Sequence, residues 1–189
     1  EFMIDRLLQV EAIKTFVSSD FNGFLFINFL PGFIHRPAVY LEGLGDTVRT
    51  HGVIAKNIVL EFTKSETPRD LAHLKSVCEY GRSRGYSIAL DDIGSFEGAR
   101  KLVTEIRPDF VKIDRDLGSR ASDNRAEQII RSIVDLVHGA GGAVIGEGIE
   151  TEDNYQQLKA LGVDLFQGYH FSAPLPVEAA IARATGTDG

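Results

Sequence analysis

Ile88-Ala-Leu-Asp-Asp-Ile-Gly94 is an apolar run that closes on two adjacent carboxylates, and Phe110-Val-Lys-Ile-Asp114 repeats the pattern one short connection later. Apolar runs of about four to eight residues read as strands buried on both faces, as in parallel sheets. Their charges then fall where each strand leaves the core. The same pattern recurs in Phe24-Leu-Phe-Ile-Asn-Phe29, Ile58-Val-Leu-Glu-Phe62, Ala143 to Ile149 and Asp164 to Phe171. With Tyr86 to Asp92 and residues 110–114, these runs predict six strands.

Helical patterns lie between them. Residues 3–17 place Ile4, Leu7, Leu8, Ala12 and Phe16 at helical spacing. Residues 38–53 read as helical in part, with Gly43 and Gly45 weakening the pattern. Thr67 followed by Pro68 opens a helix over 68–83, an N-cap with proline at the first helical position. A short helix over 96–105 follows, then a long amphipathic one at about 124–138 closed by Gly139, Gly141 and Gly142. Another spans 152–160, and an alanine-rich terminal helix comes after Pro174 and Pro176. Strands alternating with helices, through connections too long for hairpins, predict right-handed crossovers and a parallel sheet.

Two α/β architectures compete. A doubly wound sheet carries a glycine-rich phosphate loop after its first strand, but Asn28-Phe-Leu-Pro31 stands there. A β/α barrel places functional residues at the carboxyl ends of many strands, which is the pattern here, and its eight strands take about 250 residues. The expectation is therefore a modified TIM-like (β/α) barrel, N-terminally incomplete, with six of eight strands visible and residues 1–189 as a single domain. Glu1-Phe2 ahead of Met3 reads as a cloning remnant. Six strands leave two sheet edges and an exposed interior, which a homodimer, a partner chain or a further N-terminal segment would cover.

Composition narrows the functional classes. At 43% hydrophobic the chain can bury one sizeable core. A net charge of −7 argues against direct binding to duplex nucleic acid. A small phosphorylated ligand stays open, because metal ions can reverse the local field. No run of about 18 apolar residues predicts a membrane segment. Cys78 is the sole cysteine, reads as a core filler, and fits a reducing, cytoplasmic location.

Taken strand by strand, the carboxyl ends offer Asn28, Glu61, Asp91 with Asp92, Lys112 with Asp114, Glu147 with Glu150, and Gln167. In a barrel these converge on one mouth. Oxygen-rich sets suit hard cations such as Mg²⁺ or Mn²⁺ better than zinc. Asp91 and Asp92 can serve neighbouring positions and two metal ions, an arrangement suited to phosphoester cleavage. A lone acid at a strand end is usually a solvated loop charge or a cap, and Asp114 and Glu150-Thr151 could each begin a helix. Lys112 is different, since a lysine inside an apolar strand needs a polar centre to face. The histidines show no metal-ligand spacing. His170 lies nearest the proposed mouth without being an expected ligand, and Tyr169 and Phe171 read as barrel packing.

Ile88-Ala-Leu-Asp-Asp-Ile-Gly94, Val111-Lys-Ile-Asp114, Gly146-Glu-Gly-Ile-Glu-Thr151 and Gln167-Gly-Tyr-His-Phe-Ser-Ala-Pro-Leu-Pro176 resemble successive motifs of the EAL-domain family. Ile27-Asn28 and Leu60-Glu61-Phe-Thr63 match further family blocks in the right order. The resemblance implies a cyclic di-GMP phosphodiesterase with a modified β/α barrel, hydrolysing cyclic di-GMP to linear pGpG with Mg²⁺ or Mn²⁺, two ions in all. It further implies Asn28, Glu61, Asp91 and Asp92 as metal ligands. Lys112 would contact a water or phosphate oxygen at the metals, and Glu147 would be the general base or a ligand beside it. Gln167 would position the nucleotide, Asp114 would support the metal site, and Glu150 would hold the loop after Asp92.

Three departures qualify that expectation. The Glu-Ala-Leu signature is absent, and Glu11-Ala-Ile13 lies within the first helical pattern and not on a strand. Lys64 stands where the family carries a second glutamate, reversing the charge that braces the catalytic loop. Ile93-Gly-Ser-Phe96 replaces Phe-Gly-Thr-Gly, so a glycine with free access to positive φ is lost. The alternative function is therefore a catalytically degenerate EAL domain that acts as a cyclic di-GMP receptor or a protein-interaction module.

Overall fold

The computed structural model describes residues 2–18, 23–29, 37–50, 52, 54–63 and 71–185. Its elements are α1 (Phe2–Ser18), β1 (Leu25–Phe29), α2 (Pro37–Thr50), β2 (Ile58–Thr63), α3 (Leu71–Ser83), β3 (Ser87–Ile93), α4 (Phe96–Ile106), β4 (Phe110–Ile113), α5 (Arg115–Ser119), α6 (Asn124–Gly139), β5 (Ala143–Gly146), α7 (Glu152–Ala160), β6 (Leu165–Phe166) and α8 (Val177–Thr185). All six strands run parallel in one sheet whose spatial order is the chain order. A doubly wound sheet would reverse direction part-way. When every right-handed crossover advances the same way, the helices collect on one face and the other face becomes an interior. This is a TIM-like barrel wall.

The strand period of two sorts each strand between those faces. Ile27, Phe29, Leu60, Phe62, Ile88, Leu90, Val111, Ile113 and Val144 join the helix-facing core with Leu74, Val77, Val103, Ile130 and Val134. Val59, Ala89, Phe110 and Ile145 form a second, smaller cluster with Phe26 and Ala143. Phe110 anchors it, meeting the Phe24 and Phe26 rings edge-on at 5.2 and 5.3 Å. Two residues further along each strand, on the same inner face, come Asn28, Glu61, Asp91, Lys112 and Glu147. An apolar floor therefore lies under a polar layer.

Polar side chains set several boundaries. Ser95 caps α4 by accepting from the Gly98 N–H, Asp123 caps α6 from Arg125, and Thr151 caps α7 from Asn154. At the opposite end of the sheet, Asp109 and Asp164 accept from the Ile88 and Val144 N–H groups at 2.8 and 2.7 Å.

Some sequence expectations shift. The residue 38–53 pattern is helical from Pro37 to Thr50, Gly43 and Gly45 included. The five-residue α5 carries too little periodicity to show in the sequence. The fifth strand stops at Gly146, and the sixth is only Leu165–Phe166, because the chain beyond turns on itself through the Phe171 N–H to Gly168 O bond and docks on Ile149 through His170 N–H to Ile149 O. Lys64 and the expected Thr67-Pro68 start lie outside the described residues. Glu11 is exposed on α1 and pairs with Lys14 at 2.7 Å, a surface helical contact. Among the described residues no helix is long and apolar enough to cross a membrane.

Candidate active site

Lys112 sits at the centre of the polar layer. Its Nζ lies 2.6 Å from Glu61 Oε1, 2.5 Å from Glu147 Oε1 and 3.9 Å from Asp91 Oδ1. Glu61 is 4% exposed and Lys112 7%, so neither charge is left to bulk water. Burial on this scale is tolerated only with good pairing. Oxygen atoms of Glu61, Asp91 and Glu147 all lie within 4.8 Å of one another. One ammonium faces three carboxylates.

That imbalance governs the protonation of the group. Burial pushes Glu147 up to about 7, against the Lys112 bond and charge that pull it down and with the Asp91 charge that adds to the rise. Glu61 moves up for the same reasons in the same order. For Lys112, burial acts downward, but bonding to Glu147 and Glu61 outweighs it and holds the ammonium above its ordinary value.

A bulge in β3 positions the aspartates. Leu90 pairs with Val111 and Ile93 with Ile113, so three steps on β3 match two on β4. Asp91 and Asp92 together oppose Lys112 alone. Asp92 takes φ +58, a left-handed conformation uncommon for an aspartate, and its N–H donates to Asp91 Oδ1 at 2.8 Å. Asp91 is turned into the cluster while Asp92 is exposed. Asn28 stands in register with Glu61 on the edge strand, its side chain exposed and its carbonyl accepting from the Gln9 Nε2 amide at 3.1 Å.

The remaining expected residues occupy the rim. Asp114 caps α5 through Asp116 and Leu117 N–H groups and lies against Gly94, in the loop after Asp92. Glu150 pairs with Arg115, whose stem packs under Gly148. Gln167 is fixed by its backbone, its N–H donating to Gly146 O and its carbonyl accepting from Ile149. A cavity of about 510 Å³ opens beside the cluster, lined by Glu147, Gln167, Arg115, Glu150 and, from the loop after β6, Gly168, Tyr169 and residues 172–174. Tyr169 belongs to this wall, 67% exposed, and is not barrel packing. Phe171 instead meets Tyr155, and His170 pairs with Glu152 at 3.0 Å. Arg115 is a cavity residue that strand patterning missed, since it opens a helix too short to show a period.

The donors are all oxygens, hard and anionic, which fits a divalent cation such as Mg²⁺ or Mn²⁺ and not a soft-metal site. Fold and site together define a TIM-like barrel with a carboxylate and lysine centre at the carboxyl ends of its strands. The EAL domain model matches residues 1–174, and the chain belongs to the EAL-domain family. It is 31% identical over 155 residues to the probable cyclic di-GMP phosphodiesterase PdeI of Escherichia coli, covering 82% of this chain and 20% of that protein. A standalone EAL protein from Vibrio cholerae, solved with c-di-GMP bound, superposes with a TM-score of 0.82 at 30% identity, over 91% of this chain and 73% of that one. Klebsiella pneumoniae BlrP1, solved with manganese and cyclic di-GMP, gives 0.83 at 28% identity, over 92% and 44%. The chain spans between 19% and 23% of the length of the first curated relatives it matches.

Proposed function

We propose that this chain is the catalytic EAL domain of a longer protein that hydrolyses cyclic di-GMP to linear pGpG with divalent metal. The observation that carries the reading is the meeting of Glu61, Asp91, Lys112 and Glu147 from four successive strands, beside a cavity large enough for a nucleotide. Support comes from the relatives, whose names and complexes carry the same ligand and, in one case, manganese.

In this reading Glu61 and Asp91 hold the cation, with Asn28 and Asp92 completing a site for two ions. A divalent cation there supplies positive charge for the oxygens of the reacting phosphodiester and lowers the pKa of water. Glu147, with its carboxyl near 7, is tuned to take a proton from the attacking water at neutral pH. The water oxygen bonds to phosphorus, the bond from phosphorus to the 3′ oxygen breaks, and that oxygen leaves as the 3′ hydroxyl of pGpG once protonated. Lys112 holds Glu147 in place and offers a charged donor to a phosphate oxygen. Gln167 orients the nucleotide from the cavity side, Asp114 supports the metal site from beside Gly94, and Glu150 with Arg115 holds the rim.

Among the described residues the six-stranded wall leaves one edge each of β1 and β6 without a strand neighbour, which supports a barrel completed by further polypeptide or by a partner. The test is chromatographic detection of pGpG when the full-length protein meets cyclic di-GMP with Mg²⁺ or Mn²⁺, with Glu147→Gln as control. Product formation that persists in the variant removes the role given to Glu147. Calorimetric binding without any product replaces the hydrolase by a cyclic di-GMP receptor.

A further inference from the structure

Arg183, near the end of α8, reaches back to the wall of the cavity beside Glu147. Its Nη2 donates to the Phe171 carbonyl at 2.6 Å, and its Nη1 to the Ser172 hydroxyl at 3.4 Å. That hydroxyl donates onward to the Ala173 carbonyl at 2.7 Å. Ser172, Ala173 and Pro174 line that cavity together with Glu147 and Gln167.

The wall has neither helix nor strand to stiffen it. Its near half is pinned to the end of β5: Gly168 packs on the Ile149 backbone, and the His170 N–H donates to the Ile149 carbonyl at 2.9 Å. Its far half meets the guanidinium. A charged donor bonds a carbonyl more strongly than a neutral one, and the fork of an arginine holds two acceptors at a set spacing. Arg183 therefore couples the position of α8 to the shape of the cavity, although it is exposed and touches none of the carboxylates in the Lys112 cluster.

We propose that Arg183 is a positioning residue: by bridging α8 to the wall at Phe171–Ser172, it sets the affinity of the cavity for a cyclic guanine dinucleotide. The inference rests on the function proposed above. An arginine that merely staples a terminal helix would alter melting of the chain without a selective effect on nucleotide binding.

The test is calorimetry on the full-length protein, with cyclic di-GMP titrated in EDTA to stop turnover and Mn²⁺ titrated separately without nucleotide. Arg183→Met is expected to bind the nucleotide about tenfold more weakly, the size of one lost charged hydrogen bond. Arg183→Lys should recover part of that loss, and Mn²⁺ affinity, which reports on Glu61 and Asp91, should be unchanged in both. Equal nucleotide affinity in wild type and Arg183→Met overturns the inference while leaving the functional reading intact. A matching loss of Mn²⁺ affinity also overturns it, by showing general disruption. A full-length wild-type protein that binds no cyclic di-GMP overturns the functional reading and this inference with it.

Discussion

Lys112 Nζ lies 2.6 Å from Glu61 Oε1 across 51 positions of sequence, in a part of the sheet where neither charge is solvated. Removing one partner from a buried pair leaves the other uncompensated, at a cost of about 3–5 kcal/mol. Lys112→Met leaves Glu61 and Glu147 facing each other. Because those carboxyls can protonate, urea denaturation in EDTA should show a larger loss of stability at about pH 8 than at about pH 5. An equal loss at both would mean that the lysine serves packing alone.

The raised pKa of Glu147 has a defined sign. The unfolded chain ionises this group at 4.5, whereas the folded chain holds its proton up to about 7. The stability contributed by that proton is complete below 4.5 and disappears as pH rises through about 7. The metal-free chain should therefore lose stability across that window, and Glu147→Gln should flatten the slope. Parallel curves for variant and wild type would contradict the assignment. Mn²⁺ competes with the same proton, so the melting-temperature gain from Mn²⁺ should grow with pH.

Glu147→Gln also separates binding from chemistry. Loss of a positioned general base lowers turnover by roughly 10²–10⁴-fold, while the neutral amide keeps the size of the side chain. Nucleotide affinity should stay within a few-fold of wild type. A variant that loses affinity and turnover together would place Glu147 in ground-state binding.

Asp92 pays for its left-handed backbone. An L residue at φ +58 costs about 1–2 kcal/mol relative to glycine. Asp92→Gly should leave the metal-free chain equally stable or up to about 1 kcal/mol more stable, yet weaken the stabilisation by Mn²⁺ if Asp92 serves the second ion. A destabilised variant with unchanged Mn²⁺ response would make Asp92 a structural residue.

Gly168 tests the wall of the cavity. An added Cβ would strike the Ile149 backbone, which no side-chain rotation can relieve. Gly168→Ala should cost about 1–3 kcal/mol and displace the segment that carries Tyr169 and Ser172. Denaturation midpoint and nucleotide affinity should fall together, and neither changing would show the segment to be free to shift.

Which face each strand turns inward was legible in the residues themselves. Val59 and Glu61, Ala89 and Asp91, Phe110 and Lys112, Ile145 and Glu147 each differ by two positions, and the period of a strand puts each pair on one side. A polar residue two steps beyond an apolar one, near the end of an otherwise buried run, is enough to announce a site over a packed floor. By the same local rules Asp114 and Thr151 were readable as helix starts.

Tertiary structure alone decided what periodicity does not encode. The bulge at Asp91-Asp92 comes from a mismatch between two strands, so neither sequence segment states it. The shortness of β5 and β6 follows from residues 168–172 folding onto Ile149, a competition between turn and ladder that apolar content cannot settle. The pairing of Arg115 with Glu150 and the reach of Arg183 to Phe171 each tie a helix to a loop beside the cavity. That Lys112 would face a polar centre was expected from its strand, but that burial there would push Glu147 up to about 7 was not, because desolvation and charge balance exist only once the strands are side by side.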